Sequence, residues 1–470
     1  MLKYALRPVL CLLVCLLIYS CAAPLTLAPP PQETGAFSLY LQPLPQETHR
    51  LNFTIGELVA LRVDGTEIPL ILRQTEFLGN NLDGEQKKLV SVTLPPGRYL
   101  GLRIQIESVT LNGEEGKMDL LSPESPVRVD YSFSIYEGRA EVLMLSLSAD
   151  RLVTDGAFFT PKFSLWEHEQ ILTSLKGFVS NSGSESLTIF NKRTAHVVDA
   201  IQIGREPTGL ALDQRRGWLY VALAKEHKIS VVEINTNDIL GQIRLRFGDE
   251  PTELVLSDSG NRLLVLNRGS HTVSIIDTTN LFEQGRIKLP ADANDILISP
   301  DGNRGYAIHA AAGLLSVLDL NSYRIQRSIA LDYAPIKGAI SADGRTLYLA
   351  TDYSADLLVM DAGSLSVLSK ITVGVGGQSL LRDKTSGVLY VGKQSGEIAI
   401  VDPRVLMAID TFSMPAGLIQ SMTIDKDENA LFAVMPQQNR LLKFDLISKR
   451  QIGSLELGAV SHAVVVMGER

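Results

Sequence analysis

The 470-residue sequence predicts an all-β chain: an N-terminal β-sandwich followed by a seven-bladed β-propeller closed by the C-terminal strand. Three observations carry this reading. One phrase recurs seven times at a near-constant period, a strand missing before the first repeat reappears at the end of the chain, and an aperiodic β-rich stretch precedes the repeats.

The repeated phrase is clearest at Ser341-Ala342-Asp343-Gly344-Arg345-Thr346-Leu347-Tyr348-Leu349-Ala350, a polar turn followed by a β-rich strand. Its first strand residue falls at Gly177, Leu219, Leu263, Gly305, Leu347, Leu389 and Leu431, at spacings of 42, 44, 42, 42, 42 and 42. A second landmark closes an alternating apolar run at Asn191, Glu233, Asp277, Asp319, Asp361, Asp402 and Asp445, with spacings of 42, 44, 42, 42, 41 and 43. A period of about 40 to 45 residues containing several short strands marks a propeller, whereas helical solenoids repeat with a 3.6-residue pattern. The terminal aspartates are structural on this reading, and Asp-Gly pairs such as Asp301-Gly302 and Asp343-Gly344 are turn formers.

A short strand precedes the turn in six units, from Gly209–Asp213 to Ser421–Asp425, but the segment before Gly177 is polar (Trp166-Glu167-His168-Glu169-Gln170). The missing strand is found at Ala463-Val464-Val465-Val466-Met467, which therefore fills the inner position of the first blade and leaves no open sheet edge. The propeller is placed at residues 171–470.

Residues 36–167 lack the period but alternate as strands at Phe37–Leu41, Leu58–Val63, Leu89–Leu94, Tyr99–Ile106, Val127–Ile135 and Ala140–Leu147, which predicts a sandwich of six or seven strands. Residues 21–35 carry Pro24, Pro29, Pro30 and Pro31 and read as an extended tether. Residues 1–20 read as a signal peptide, with Lys3 and Arg7 ahead of an 11-residue apolar run, Val9 to Tyr19, too short to span a bilayer.

Composition supports a globular chain, with 45% hydrophobic and 20% charged residues, and the length exceeds one compact core. A net charge of -8 with scattered Lys and Arg argues against a nucleic-acid partner. All three cysteines, Cys11, Cys15 and Cys21, lie in or at the end of the leader, so the mature chain forms no disulfide.

The leader ends in Ile18-Tyr19-Ser20-Cys21, which resembles the bacterial lipobox and implies that Cys21 is lipidated. Ala22 after it, by resemblance to Gram-negative lipoproteins, implies an outer-membrane destination. Arg205-Glu206-Pro207-Thr208-Gly209, Leu219-Tyr220-Val221-Ala222 and Ile229-Ser230-Val231-Val232-Glu233 resemble the YVTN family of seven-bladed, WD40-like propellers, over about 292 residues from Gly177 to Gly468. Leu94-Pro95-Pro96-Gly97-Arg98-Tyr99 and Phe158-Phe159-Thr160-Pro161-Lys162-Phe163 resemble transthyretin-like sandwich domains of bacterial lipoproteins. Such resemblances imply fold far more than chemistry.

For a site, residues where the inner strands begin form rings about one mouth of the central channel. They supply an acidic side of Glu250, Glu253, Asp292, Asn294 and Asp295, facing Lys337 and His462, with Gln378 and Gln420 in the ring. This constellation suits a hard cation or a cationic or hydroxyl-bearing ligand, although a wet channel mouth tolerates polar residues without any function. No Gly-x-Ser-x-Gly elbow lies in the propeller and no His-x-x-x-His pair or Cys-x-x-Cys-His motif occurs, so no catalytic residue is named and no cofactor is expected, a channel-mouth divalent cation being the alternative.

The function expected is that of a non-catalytic binding or scaffold module in the cell envelope. It is a monomer held to the membrane by its lipid, with an envelope protein or glycan as partner. Two alternatives stay open: a lactonase-like hydrolase, with Glu253 and Asp295 as cation ligands and His462 as acid or base, and a carbohydrate-binding surface lipoprotein that uses the sandwich.

Overall fold

A computed structural model describes residues 34–45, 48–82, 84–113 and 116–469. The leader and its Cys21, and nearly all of the tether, lie outside these residues. No helix among the described residues is long and apolar enough to cross a membrane.

Residues 35–167 form two facing sheets. One has the order Phe163–Glu167, Ala140–Leu147, Gly35–Leu41, Lys87–Leu94. The other is six-stranded, built on the long pair Leu51–Arg62 and Gly97–Gly113. Alternation places Phe37, Leu39 and Leu41 on the inner face of the first sheet, while Phe53, Ile55, Tyr99, Leu102 and Ile104 face them from the second. Tyr99 and Phe37 stack on either side of Phe133, with centroids 5.0 and 5.5 Å away.

The remainder folds into seven four-stranded antiparallel sheets whose inner strands touch in succession around a central channel. The second to seventh blades begin with Pro207–Asp213, Pro251–Leu256, Asp295–Ile298, Pro335–Ile340, Gly377–Arg382 and Ser421–Asp425. The first blade takes its inner strand from the far end of the chain: Ser461–Val466 pairs antiparallel with Lys176–Asn181, and Gly177 stands opposite Val466, Phe178 opposite Val465 and Val179 opposite Val464. Lys192, 1% exposed, fastens this seam. Its ammonium donates to Asp425 Oδ1 at 2.8 Å and to the Met467 carbonyl at 2.6 Å, tying the first blade to the seventh and to the chain end. A buried ammonium is tolerated only because each of its protons finds an acceptor.

The per-blade aspartates act within their own turns. Asp277 accepts N–H bonds from Thr279 (2.7 Å), Asp319 from Asn321 (2.9 Å), Asp361 from Ser364 (2.7 Å) and Asp402 from Arg404 (2.9 Å). These Asx turns stand at the hairpin into each outer strand, which explains their regular spacing.

Sandwich and propeller share a core. Tyr40, Val142 and Met144 pack with Phe190, Val197, Phe432, Leu455 and Leu457 of the first and seventh blades. The Gln86 side chain bonds the Val197 backbone like a neighbouring strand, accepting from its N–H at 2.8 Å and donating to its carbonyl at 3.1 Å. Lys88 donates to the Leu457 carbonyl at 3.1 Å, its ammonium 5.1 Å from the Tyr40 ring, and burial pulls its pKa down to about 7. Close by, Glu141 and Glu167 of adjacent sandwich strands share a hydrogen bond beneath Asp199 of the first blade. Burial first, then the charges of Glu167 and Asp199, push Glu141 up to about 7.

Two outcomes follow. Ending the chain after Val460 removes the inner strand of the first blade, so the single cooperative unfolding transition should be lost, and Val466→Ala should cost about 2 kcal/mol in urea unfolding. Because Glu141 has a higher pKa folded than unfolded, its burial costs nothing below the unfolded value near 4.5, costs more as pH rises towards 7, and is constant above. Glu141→Gln should therefore match the parent near pH 4 and exceed it at pH 8 by about 1–2 kcal/mol, less than the ~3 kcal/mol of the full shift because the group is partly exposed.

Candidate functional site

Four of the residues expected at the channel mouth come together inside it. Each inner strand turns alternate side chains into the channel. Glu253, Asp295 and Lys337 occupy equivalent positions on the third, fourth and fifth blades, so strand geometry makes them neighbours. The Lys337 ammonium donates to Glu253 at 2.7 Å and to Asp295 at 3.2 Å, and the other oxygen of Asp295 accepts the Gly338 N–H at 2.9 Å. Their side chains are 19%, 23% and 9% exposed, open only to the channel.

The electrostatics follow from this enclosure. Burial acts to lower Lys337, but the two carboxylates outweigh it and raise its pKa above the usual lysine value. Burial acts to raise Glu253, yet the nearby Lys337 ammonium, with His462, holds it low. Asp295 goes the other way: burial, with the Glu253 charge added, outweighs the longer contact with Lys337 and pushes it up. His462 enters from the closing strand, and burial lowers its pKa below the usual imidazole value. Its Nδ1 has no hydrogen-bond partner among the described residues.

The remaining expected residues lie elsewhere. Glu250 shares Lys225 with Glu206, at 3.6 and 3.7 Å, and Asp292 pairs with Arg268 at 3.3 Å. Asn294 accepts the Ala310 N–H at 2.9 Å and so braces the fourth blade. Gln378 and Gln420 are half-buried at the starts of the sixth and seventh inner strands.

Most polar groups of these rings fasten one blade to the next. Ser180 donates to the Thr208 carbonyl at 2.6 Å, Thr208 to Pro251 at 3.0 Å and Ser379 to Ile419 at 2.8 Å, while Ser421 accepts the Val464 N–H at 3.3 Å. Lys337 is the charged member of the same series, binding the fifth blade to the third and fourth. The ring of polar residues is therefore first a ring of inter-blade bonds.

The channel opens widely at its opposite end, where the inner strands finish. A cavity of about 660 Å³ lies there, lined by Arg215, Asp258, Lys384, Lys426 and Glu469 over a floor of Leu210, Leu254 and Val465. A second lobe of about 370 Å³ runs on past Lys384 and Asp258 to Arg382, Ile298 and Ile340. Sequence reasoning missed this mouth because it followed the strand starts. The signal was present one or two residues beyond the strand ends, at Asp258, Lys384 and Lys426, where turn residues line the open mouth.

No family model and no curated relative matches the chain. Two of the solved structures similar in fold illustrate the likeness. Dihydro-heme d1 dehydrogenase NirN in complex with DHE is 15% identical with a TM-score of 0.51, over 64% of this chain and 77% of that one. A functionally unknown protein from Desulfotomaculum acetoxidans is 14% identical with a TM-score of 0.55, over 62% of this chain and 98% of that one. At this identity the likeness is one of fold alone, and it agrees with the propeller.

Lys337→Met strands two enclosed carboxylates. It should destabilise the protein by about 2–3 kcal/mol at pH 8, at or below the lower end of the range for a buried pair because the side chains touch channel water. The deficit should shrink towards pH 5 as the freed carboxylates take up protons, which thermal melts across that range will read.

Proposed function

We propose that this chain is a lipid-anchored bacterial envelope protein whose propeller serves as a non-catalytic binding scaffold. The observation that carries the reading is the position of the Lys337 ammonium. It occupies the space between Glu253 and Asp295 that a ligated cation would need, so the strongest acidic cluster of the channel is spent on holding blades together. What remains for a ligand is the open mouth at the other end, rigidly framed by seven turns.

The anchor rests on Ile18-Tyr19-Ser20-Cys21 and its likeness to a lipobox, with Ala22 favouring the outer membrane. The repeat phrases resemble those of YVTN-type propellers, and the stretches Leu94-Pro95-Pro96-Gly97-Arg98-Tyr99 and Phe158-Phe159-Thr160-Pro161-Lys162-Phe163 resemble transthyretin-like lipoprotein domains. The sandwich docks on the first and seventh blades, and the open mouth is lined by propeller residues alone among the described residues, which leaves it to an envelope protein or glycan.

A second reading, a hydrolase with a channel cation, draws on one observation: the unpartnered Nδ1 of His462 near the Glu253 carboxylate. The two readings separate experimentally. On the scaffold reading, capture of the tagged, lipidated protein from detergent-solubilised envelope recovers a stoichiometric partner, and calcium or magnesium leaves the melting temperature unmoved. Repeated capture of nothing, together with a metal-dependent rise in melting temperature, would overturn it.

A further inference from the structure

We propose that the open mouth of the channel binds a small organic polyanion, a ligand bearing two or more phosphate or carboxylate groups. This rests on the reading that the propeller is a binding scaffold and assigns the chemistry of what it holds.

One residue in the turn after each inner strand, one or two positions past its end, stands at an equivalent place around this mouth. Taken from the second blade to the seventh and then the first, these positions are Gln214, Asp258, Pro300, Ala342, Lys384, Lys426 and Gly468. The two lysines are exposed and fall on adjacent blades. The first blade follows with a glycine, whose N–H donates to Gln214 at 3.0 Å, and the second adds the exposed Arg215. One arc of the rim, from the sixth blade round to the second, therefore carries Lys384, Lys426 and Arg215, with Arg382 in the adjoining lobe, and the facing arc offers a single carboxylate, Asp258.

The other acids nearby do not neutralise this arc. Asp213 is committed to Arg216 at 2.8 Å and Asp425 to Lys192 at 2.8 Å, while Asp383 keeps its charge but is buried below the rim, where it accepts the Thr385 N–H at 2.8 Å and the Ser386 hydroxyl at 2.6 Å. Glu469 is the counter-charge of Lys384, and burial raises its carboxyl, which weakens that role. At the channel's other mouth Lys225 is matched by Glu206 and Glu250, and Arg268 by Asp292. Of the two channel mouths, the open one therefore carries the excess of positive charge. Its cavity of about 660 Å³ falls within the ~300–1,000 Å³ usual for small-ligand sites, and low-dielectric walls strengthen the attraction for an anion inside it.

Isothermal titration at low ionic strength tests this with tripolyphosphate and citrate as probes and sorbitol as the neutral comparator. The expected result is binding of at least one anion, weakening as salt is added, with no binding of sorbitol. The double variant K384E/K426E should weaken that binding about tenfold or more, equivalent to about 1.4 kcal/mol, and K384Q/K426Q by a smaller factor, while K225E on the opposite face leaves it within about twofold. Both lysines are exposed, so these variants should melt with the parent. A failure of both anions to bind, or undiminished binding by K384E/K426E, overturns the site. If K384E/K426E still captures the same envelope partner while neither anion binds the parent, the polyanion site falls and the scaffold reading survives.

Discussion

The structure depends on the closure of its ring. Six blades are built from consecutive strands, and a seventh joins residues 176–202 to residues 461–466 across nearly the whole propeller sequence. Without that pairing the first blade would present an unpaired inner edge at Lys176–Asn181, and an apolar edge in water is both unstable and prone to associate. The buried Lys192, donating to the seventh blade and to the Met467 carbonyl at once, makes closure a polar as well as a hydrophobic event. Fixing the circumference in this way also fixes the channel, because the spacing of facing side chains follows from the number of blades.

Closure explains the use made of the channel's polar residues. Inner strands pack so tightly that an added Cβ at Gly209 would lie 2.5 Å from the Thr252 carbonyl, and the hydroxyls and charges around the ring reach across to neighbouring backbones. The Lys337 network is the extreme case, one ammonium shared by two blades. A group spent on such bonds is unavailable to a ligand, which divides the channel into a tied end and an open end. The sandwich adds a further constraint: it docks by a side chain that imitates a strand and by apolar residues packed on the first and seventh blades.

How much was legible beforehand can be judged from particular residues. The period of Leu219, Leu263, Leu347 and Leu389 is legible because every blade repeats the same local problem, a turn followed by a buried strand. Pairing of Val464 with Val179 was legible for the same reason, since a vacancy in a periodic series shows its own position. Glu253, Asp295 and Lys337 could be placed on one ring by counting residues. Whether they would face a ligand or one another could not, because that depends on side-chain reach across blades and on the fate of each remaining lone pair.

The sequence by itself determined the blade number, the circular order of the strands and which residues share a level of the channel, all consequences of a fixed repeat and of two-residue alternation. Tertiary structure alone decided that the acidic ring closes on Lys337, that Gln86 and Lys88 bind the sandwich to the first and seventh blades, and that the wide mouth lies where the inner strands end. Those outcomes are set by distances between residues far apart along the chain, and by which buried charge finds a partner first, neither of which is encoded in local pattern.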